Sequence, residues 1–436
     1  MGIKKPGRVV SNAMWIIGCK LVKALLTLIV TMITGRYLGP SNYGLINYAA
    51  SIVTFITPLM KLGIDATMVH EIVTDPENEG KNVGSAIIMN LTSALLCIIG
   101  VVSFSAIANS GEMDTVLVCA LYSTLLAFQA VEMIQYWFQA KLLSKYSAGS
   151  MLVSYVIVAA FQIYLLITKK SVYWFALSHS VDYCIVSILL LFFYKKLGTQ
   201  KLSFSKTHAA NLLSKGRFYI VSSMMVTIFA NTDKIMLKLM LGNESVGYYS
   251  AATTCAGMTG FVFAAIIDSV RPTVFEAKKE SRSLFASRLS ELYSIIIWGS
   301  LIVSLGMTVF SSIIIKIMYG SDYGPAIAAL RLVVWYTTFS YIGTVRNIWI
   351  VSEEKQQYLW MINLSGALMN IIINLILIPS FGIMGAAFAS FFTQFFTNII
   401  MGWIIKPIRE NNRIMYHGLN PKPLYNMILK VFKLNR

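Results

Sequence analysis

Apolar residues occur along the chain in runs of about 20, and short polar segments separate the runs. A helix needs about 20 predominantly apolar residues to cross the hydrocarbon core of a bilayer. The pattern therefore predicts an all-α, polytopic membrane protein with about twelve transmembrane helices. The predicted spans are 13–34, 43–63, 83–107, 115–139, 148–168, 172–194, 216–240, 246–270, 289–311, 325–351, 357–378 and 382–405.

The composition agrees with this pattern. Of the 436 residues, 56% are hydrophobic and only 13% are charged, whereas about 25% are charged in a typical soluble domain. The formal net charge of +17 would suit a nucleic-acid partner. The basic residues, however, lie between long apolar runs and form no separate basic domain. We therefore expect no nucleic-acid partner.

The distribution of positive charge predicts the orientation. Loops on the cytoplasmic side of membrane proteins carry an excess of Lys and Arg. With both termini in the cytoplasm, about 25 of the 36 Lys and Arg lie inside and about 4 lie in outside loops. The outside loops are all short, and the longest is near Ser312–Gly324. Such short loops argue against a membrane enzyme of polysaccharide assembly, such as a polymerase or ligase, acting at the outer face.

An internal repeat divides the predicted spans into two groups of six. LGPSNYG at Leu38–Gly44 and LGNESVG at Leu241–Gly247 are 203 residues apart, and the same offset relates Asp65 to Asp268. Halves with the same orientation are related by an axis along the membrane normal, and substrate sites lie between them. The glycines have a simpler interpretation too, because they permit tight turns. The predicted parts are an N-terminal lobe at 1–194, a cytoplasmic inter-lobe loop at 195–215, a C-terminal lobe at 216–406 and a basic cytoplasmic tail at 407–436.

Two predicted spans carry a polar, cationic face. A charge at the centre of the bilayer costs about 3 kcal/mol on insertion scales, which makes buried cations functional candidates. Residues at helical spacing share one face, and the two faces are Lys20, Lys23, Thr27, Thr31 and Thr34 on span 1, and Ser223, Thr227, Asn231, Lys234 and Lys238 on span 7. The functional interpretation is a water-filled cavity for an anionic, phosphate-bearing substrate. Its predicted cations are Lys20, Lys23, Lys234 and Arg346, and its predicted polar lining is Thr27, Thr227, Asn231 and Gln135.

A second interpretation applies to the cations nearest the span ends. Long basic side chains reach the headgroups by snorkelling, and this explanation is favoured for Lys61, Lys238 and Arg331. The acidic candidates within the spans are Glu132, Asp182 and Asp233. They are expected either to form internal ion pairs or to couple transport to H⁺ or Na⁺.

Sequence motifs of catalysis and cofactor binding are absent from the chain. There is no Walker A, GxSxG, HExxH, CxxC or GxGxxG sequence. The five cysteines lie within apolar runs, where they are expected to act as small buried hydrophobes. No catalytic residue, metal site or cofactor is predicted, and we expect a transporter rather than an enzyme. The tail sequence at Leu424–Leu434 is compatible with a basic amphipathic helix or with disorder.

The chain resembles the Wzx-type oligosaccharide flippases, the polysaccharide biosynthesis proteins of the MOP transporter superfamily, which also includes the MATE transporters. The resemblance covers nearly the whole chain. His70 stands where these proteins often have Arg before the glutamate. The similar segments are GRYLGPSNYGLINYAAS at Gly35–Ser51, LGID and HEI within Leu62–Ile72, NTDKIMLKLMLGNESVGYYSAA at Asn231–Ala252, MYGSDYGPA at Met318–Ala326, and NLILIPSFGIMGAAFAS at Asn374–Ser390.

This resemblance implies a MATE-like fold of two lobes around a cationic cavity. It implies movement of a polyprenyl-pyrophosphate-linked oligosaccharide from the cytoplasmic to the outer leaflet of a bacterial cytoplasmic membrane, by alternating access that is coupled to an ion. The product would enter O-antigen, capsule or another exopolysaccharide. The implied partners are membrane lipid, the lipid-linked oligosaccharide and other assembly proteins, such as a polymerase and a chain-length regulator. On this view Lys20, Lys23, Lys234 and Arg346 would neutralise the pyrophosphate.

Two related transporters are alternatives. A MATE-type exporter of drugs or metabolites uses a proton or sodium gradient, but its cavity tends to be acidic. The lipid II flippase usually has two additional C-terminal helices.

Overall fold

The computed structural model of the chain describes residues 6–425, with side chains from Trp15 onward except at residues 16, 17 and 20. The predicted tail helix therefore lies almost wholly outside the described residues. Two compact units make up the chain, Met1–Leu239 and Met240–Arg436. Within 6–425 all regular structure is helical.

Unit 1 contains the first nine α-helices and a short linker between the last two. Helix α1 packs against α3, α4 and α7, and helix α8 packs against α4, α5 and α7. The helices are α1 (Pro6–Lys61), α2 (Met68–Thr74), α3 (Glu79–Ala108), α4 (Met113–Ser123), α5 (Leu125–Gln129), α6 (Ile134–Ala140), α7 (Ser144–Ile167), α8 (Val172–Leu197) and α9 (Lys206–Leu241).

Unit 2 contains the remaining nine. Helix α14 lies centrally and packs against α10, α12 and α16. The helices are α10 (Asn243–Gly257), α11 (Gly260–Glu280), α12 (Arg282–Val309), α13 (Ser311–Tyr319), α14 (Gly324–Ser352), α15 (Leu359–Phe381), α16 (Ile383–Phe395), α17 (Met401–Ile404) and α18 (Arg409–His417). A π-helical turn, Phe396–Ile400, joins α16 to α17.

The first helix is long enough to cross a membrane twice, which relates the number of helices to the number of predicted spans. By length and composition, eleven helices among the described residues are able to cross a membrane, and the first extends over 41 residues, Leu21–Lys61. At 1.5 Å per residue it is about 60 Å long, twice the roughly 30 Å of a hydrocarbon core. Helix α1 is broken within this stretch at Gly39, whose φ of 69° and ψ of 172° are not helical. It therefore contains the first two predicted spans, and the predicted polytopic helical fold is confirmed.

The first glycine of each LGxxxxG segment has a similar backbone conformation. Gly39 has φ 69° and ψ 172°, and Gly242, between α9 and α10, has φ 91° and ψ −177°. A side chain disfavours positive φ, so glycine is needed at both turns. Asp65 and Asp268, which the same offset relates, do not share a conformation. Asp65 lies in a 3₁₀ turn after α1, whereas Asp268 lies inside α11.

The boundary between the compact units lies one helix later in the chain than the predicted boundary between the lobes. The sequence division assigned span 7 to the C-terminal lobe, but the corresponding helix, α9, belongs to unit 1 up to Leu239. The division into six and six spans stays a prediction about the repeat. The predicted tail also differs from the structure at its start, because helix α18 packs against α12.

Each unit has its own apolar core. In unit 1 the buried Trp137 lies edge-on to Tyr194, with 4.9 Å between ring centroids. In unit 2 the core includes the buried Tyr293 and Trp349. Large apolar side chains also cover the outside of the helices, as at Leu96, which is 67% exposed. Extended apolar surface of this kind suits lipid, where helices satisfy their own backbone groups.

The two ends of the unit 1 helices define two faces. Helix α1 ends, and α3 begins, on a face that also holds the segment between α8 and α9, because Ser203 N donates to Gly80 O at 3.2 Å. We call it the linker face. Helix α3 then runs 30 residues to the opposite face, where the turn Asn109–Glu112 leads into α4. We call the opposite face the turn face.

Candidate functional site

A charged cluster lies inside unit 1, where α1, α7 and α8 meet. Lys23 of α1 forms an ion pair with Asp182 of α8, with 4.0 Å between Nζ and Oδ2. The Asp182 side chain is only 16% exposed and that of Lys23 is 36% exposed. An ion pair that is only partly accessible to water is more stable when its remaining polar atoms are bonded as well.

Helix α7 supplies those additional contacts. Ser154 is fully buried, and its Oγ donates to Asp182 Oδ1 at 2.6 Å. The Lys23 ammonium also lies 5.4 Å from the ring centroid of Tyr155, within the range of a cation–π contact. Three helices thus fix the positions of one lysine and one carboxylate.

A second carboxylate interacts with this pair. Glu132 lies in the 3₁₀ turn between α5 and α6, and it interacts electrostatically with Lys61, Lys23 and Asp182. The set therefore holds two lysines and two carboxylates. The predicted cation Lys23 is consequently balanced by acidic groups and does not by itself make a positive wall. One turn from Asp182, the His179 ring lies 4.8 Å from the ring of Tyr122.

The other polar residues predicted on α1 and α9 bond mainly to their own helices. Thr27 Oγ1 donates to Lys23 O at 2.8 Å, and Thr227 Oγ1 donates to Met224 O at 3.0 Å. Asn231 Nδ2 donates to Thr227 O at 2.9 Å. These bonds satisfy polar side chains locally, so they do not by themselves indicate a cavity.

The remaining predicted residues are spread over the helices. Asp233 is buried and Lys234 and Gln135 are half-buried, while the Lys20 side chain lies outside the described residues. Lys234 interacts electrostatically with its neighbour Asp233. The structure therefore brings together Lys23, Asp182 and Glu132, and it places Lys234 and Asp233 on α9.

Arg346 belongs to unit 2 and has a different environment. Its side chain is buried, and NH1 donates to Thr397 O in the π-helical turn at 2.7 Å. A π turn departs from the regular i to i+4 hydrogen bonding of a helix and is frequent at functional sites. Asn398, the next residue, packs so closely on Gly343 that a Cβ there would lie 2.2 Å from Asn398 Oδ1. The Arg346 Nε has no hydrogen-bond partner among the described residues.

Three ion pairs near the ends of the unit 1 helices were not predicted. Each joins a lysine to a glutamate, and the pairs are Glu71–Lys215, Glu79–Lys141 and Glu112–Lys238. The snorkelling interpretation of Lys238 is wrong, because its side chain is only 2% exposed and Glu112 lies 2.5 Å away. Hydrogen bonding from Lys238 lowers the pKa of Glu112 from its ordinary value of 4.5. With 19 acidic against 36 basic residues, an acid near a span end is a usable signal for such pairs.

Comparison with known sequences identifies a family. The sequence model of the family described as polysaccharide biosynthesis protein matches residues 9–278, well over half of the chain. An uncharacterized membrane protein of Methanocaldococcus jannaschii is 27% identical over 271 residues, which are 58% of this chain and 52% of that protein. The chain thus spans about half the length of that relative.

Two further relatives have descriptive names. The capsular polysaccharide biosynthesis protein CapF of Staphylococcus aureus is 21% identical over 408 residues, 92% of this chain and 100% of that protein. The probable low-salt glycan biosynthesis flippase Agl15 of Haloferax volcanii is 23% identical over 196 residues, 45% of this chain and 42% of that protein.

Solved structures show the same fold. The lipid II flippase MurJ in an inward closed conformation has a TM-score of 0.73 at 16% identity, over 97% of this chain and 93% of that one. An inward-facing multidrug resistance MATE family transporter of the MOP superfamily has a TM-score of 0.65 at 14% identity, over 90% and 95%. These likenesses confirm the predicted MATE-like fold.

Proposed function

Because the chain belongs to the polysaccharide biosynthesis protein family, we propose that it is a flippase for a polyprenyl-pyrophosphate-linked oligosaccharide. It moves the lipid-linked repeat unit from the cytoplasmic to the outer leaflet, and it works by alternating access. The names of the relatives CapF and Agl15 support a role in glycan assembly, and the MurJ-like fold supports transport of a lipid-linked substrate rather than catalysis.

The Lys23–Asp182 pair is the observation that carries the mechanism. Charged residues within spanning helices are expensive and typically mark substrate or ion pathways. Lys23 can pair with Asp182 or with a phosphate of the substrate. When Asp182 binds the coupling ion, H⁺ or Na⁺, it stops attracting Lys23, and the ammonium becomes available to the pyrophosphate. Ion binding and substrate binding are thereby linked through one lysine, and Glu132 is a second carboxylate that interacts electrostatically with both members of the pair.

The other predicted cations keep their proposed roles on this basis. Lys234 is half-buried on α9, beside Asp233. It is a second candidate ligand for the pyrophosphate, and Thr227 and Asn231 lie on the same helix. Arg346 is the weakest candidate, because its guanidinium donates a hydrogen bond to a backbone carbonyl of unit 2.

We further propose that both termini lie in the cytoplasm, so that the linker face is cytoplasmic and the turn face is external. The excess of Lys and Arg in the segments of that side supports this orientation. The protein then works in the cytoplasmic membrane beside the enzymes that use its product, such as a polymerase and a chain-length regulator.

Deletion of the gene tests the substrate class. Lipid-linked repeat units are expected to accumulate on the cytoplasmic side, and the wild-type gene is expected to restore export. Lys23→Ala is expected to leave the deletion phenotype, whereas Lys195→Ala, at the exposed end of α8, is expected to restore export. Normal lipid intermediates in the deletion strain would exclude the proposed substrate.

One observation favours a second function, a MATE-type exporter of cationic compounds. The unit 1 cluster contains two carboxylates, which suit a cationic substrate or coupling ion. The two functions differ in a growth assay. An exporter changes resistance to cationic drugs and leaves surface glycan intact, whereas a flippase has the opposite effect.

A further inference from the structure

Helix α9 is buried only near its two ends. Ala209, Leu212 and Gly216 are buried toward the linker face, and the next buried residue is Asn231, toward the turn face. The 14 residues between Gly216 and Asn231 span about 21 Å at 1.5 Å per residue. The helix is therefore held to the rest of unit 1 at both faces and loosely in between.

At the linker face, α9 is held by a buried carboxylate. Lys215 Nζ lies 2.8 and 2.9 Å from the two carboxylate oxygens of Glu71, and Asn211 Nδ2 donates to Oε2 at 3.2 Å. The Glu71 side chain is only 6% exposed. A carboxylate so withdrawn from water depends on these donors, since an unpaired buried charge is strongly unfavourable. We call this ion pair the linker latch.

Two glycines allow the close approach at the same end. Gly63, just after α1, has φ 65°, and a Cβ on it would lie 2.2 Å from Gly216 O. A Cβ on Gly216 would in turn lie 2.6 Å from Leu62 O. The backbones of α9 and the α1 end are thus in direct contact without an interposed side chain.

At the turn face, the order of burial is reversed. Here the lysine is the buried member, because the Lys238 side chain is 2% exposed and that of Glu112 is 50% exposed. Lys238 Nζ lies 2.5 Å from Glu112 Oε2, and Thr115 Oγ1 donates to the same oxygen at 2.6 Å. We call this ion pair the turn latch.

We propose that α9 is a moving strut and that its two latches open at opposite stages of transport. The latches are 23 residues apart on the helix, about 34 Å, which matches the roughly 30 Å of a hydrocarbon core. Each ion pair therefore holds α9 near one membrane face. Since the middle of α9 is little buried, the helix can tilt about either end with little loss of packing. This inference rests on the proposed transport function for its purpose, and on the two ion pairs for its mechanism.

Cross-linking tests the need for motion. In a cysteine-free background, the pairs Glu71→Cys with Lys215→Cys and Glu112→Cys with Lys238→Cys are joined by a short thiol cross-linker. Glu79→Cys with Lys141→Cys is the matched control, because that ion pair is also in unit 1 but does not include α9. Joining either latch is expected to stop glycan export, and joining the control pair to leave export intact. Export that continues with a latch joined would overturn the proposal.

A distance measurement tests the alternation without any cargo. Spin labels at His70→Cys and Arg217→Cys report the linker face, and labels at Asp114→Cys and Leu239→Cys report the turn face. Glu71→Gln is expected to lengthen the linker-face distance alone, and Glu112→Gln the turn-face distance alone. If both distances lengthen together, or neither changes, the ion pairs only stabilise packing and the latch mechanism is wrong. If the distances alternate but lipid-linked intermediates are normal in the deletion strain, only the proposed cargo is wrong.

Discussion

Lys23 and Arg346 look alike in the sequence and differ in the structure. Both are cations well inside predicted spans. In unit 1, Lys23 is partly exposed and pairs with the carboxylate of Asp182. In unit 2, Arg346 is buried, and its guanidinium donates to the backbone carbonyl of Thr397.

The difference separates an exchangeable cation from a fixed one. A lysine beside a carboxylate can lose its partner through protonation and gain another anion. A guanidinium has a rigid fork of donors and does not deprotonate in proteins. With its NH1 on a carbonyl inside a helix turn, Arg346 is part of how unit 2 is built. Depth in a span therefore identifies an unusual charge, and only its partner indicates its role.

Replacement of Arg346 by Ala is the substitution with the largest expected effect on folding. It leaves the Thr397 carbonyl without its donor and opens a cavity beside the π turn. A lost buried hydrogen bond costs about 1–3 kcal/mol, and the cavity adds to that. We expect a clear fall in the thermal unfolding temperature of the purified protein and little inserted protein in cells.

Arg331→Ala is the matched control for this prediction. Arg331 lies on the same helix, α14, but it is exposed, and its Nε donates to Ser311 Oγ at 2.9 Å. Its loss is expected to change the unfolding temperature only slightly. If Arg346→Ala were as stable as Arg331→Ala and yet inactive, Arg346 would be a substrate ligand, and the contrast with Lys23 would disappear.

For Lys23 the expected effect is on transport rather than on stability. Lys23→Ala leaves Asp182 partly solvated and still bonded to Ser154, so the loss of stability is expected to be about 1 kcal/mol or less. Export of lipid-linked glycan is expected to be lost. The exchanged variant, Lys23→Asp with Asp182→Lys, is expected to restore the unfolding temperature without restoring export. Full export by Lys23→Ala would contradict the coupling mechanism.

Much of the fold could be predicted because lipid imposes strong rules on sequence. Runs of about 20 apolar residues predicted the spans, and the glycine repeat predicted the turns at Gly39 and Gly242. The position of α9 could not be predicted, because it depends on which neighbours its ends contact. Likewise, the sequences around Asp65 and Asp268 are similar but their packing differs. Helix α1 ends before Asp65, whereas helix α11 continues through Asp268.

The candidate site was predictable in part. Spacing along one helix placed Lys23 on a polar face. Asp182 and Glu132 were candidates because charged residues are rare within membrane spans. Their association requires α1, α7 and α8 to pack together, which no spacing within a single helix reveals. Ser154 gave no signal, since serines are common in these spans and its role depends on the position of Asp182.

Ser154→Ala is expected to have a smaller effect on the same pair. Without the hydroxyl, Asp182 loses one hydrogen bond but keeps its attraction to Lys23. A net hydrogen bond contributes about 1 kcal/mol. We expect reduced rather than abolished export, because one donor fewer positions the carboxylate. Ser154→Thr, which keeps the hydroxyl, is the control, and full export by Ser154→Ala would show that Ser154 does not position Asp182.

Lys238 combines the two environments, because it is as buried as Arg346 and paired with a carboxylate like Lys23. Hydrogen bonding from Lys238 lowers the pKa of Glu112 below its ordinary 4.5, so the ion pair stabilises the fold above that pH. Its contribution is lost as the pH falls through the lowered pKa. The neighbouring titratable groups are Tyr48 and Cys119, a phenol and a thiol, which are both neutral in acid and do not change charge there.

The turn latch should therefore weaken only in acid below about pH 4.5, the ordinary value for glutamate. The effect is expected to be small, under about 1 kcal/mol, because half of the Glu112 side chain is exposed. Thermal unfolding of the wild type and of Glu112→Gln, measured from pH 7 to pH 3, isolates it. The difference between the two proteins should be constant down to about pH 4.5 and shrink below it. A difference that persisted unchanged to pH 3 would mean that Glu112 contributes by packing, and that Lys238 is fixed in the manner of Arg346 rather than exchangeable in the manner of Lys23.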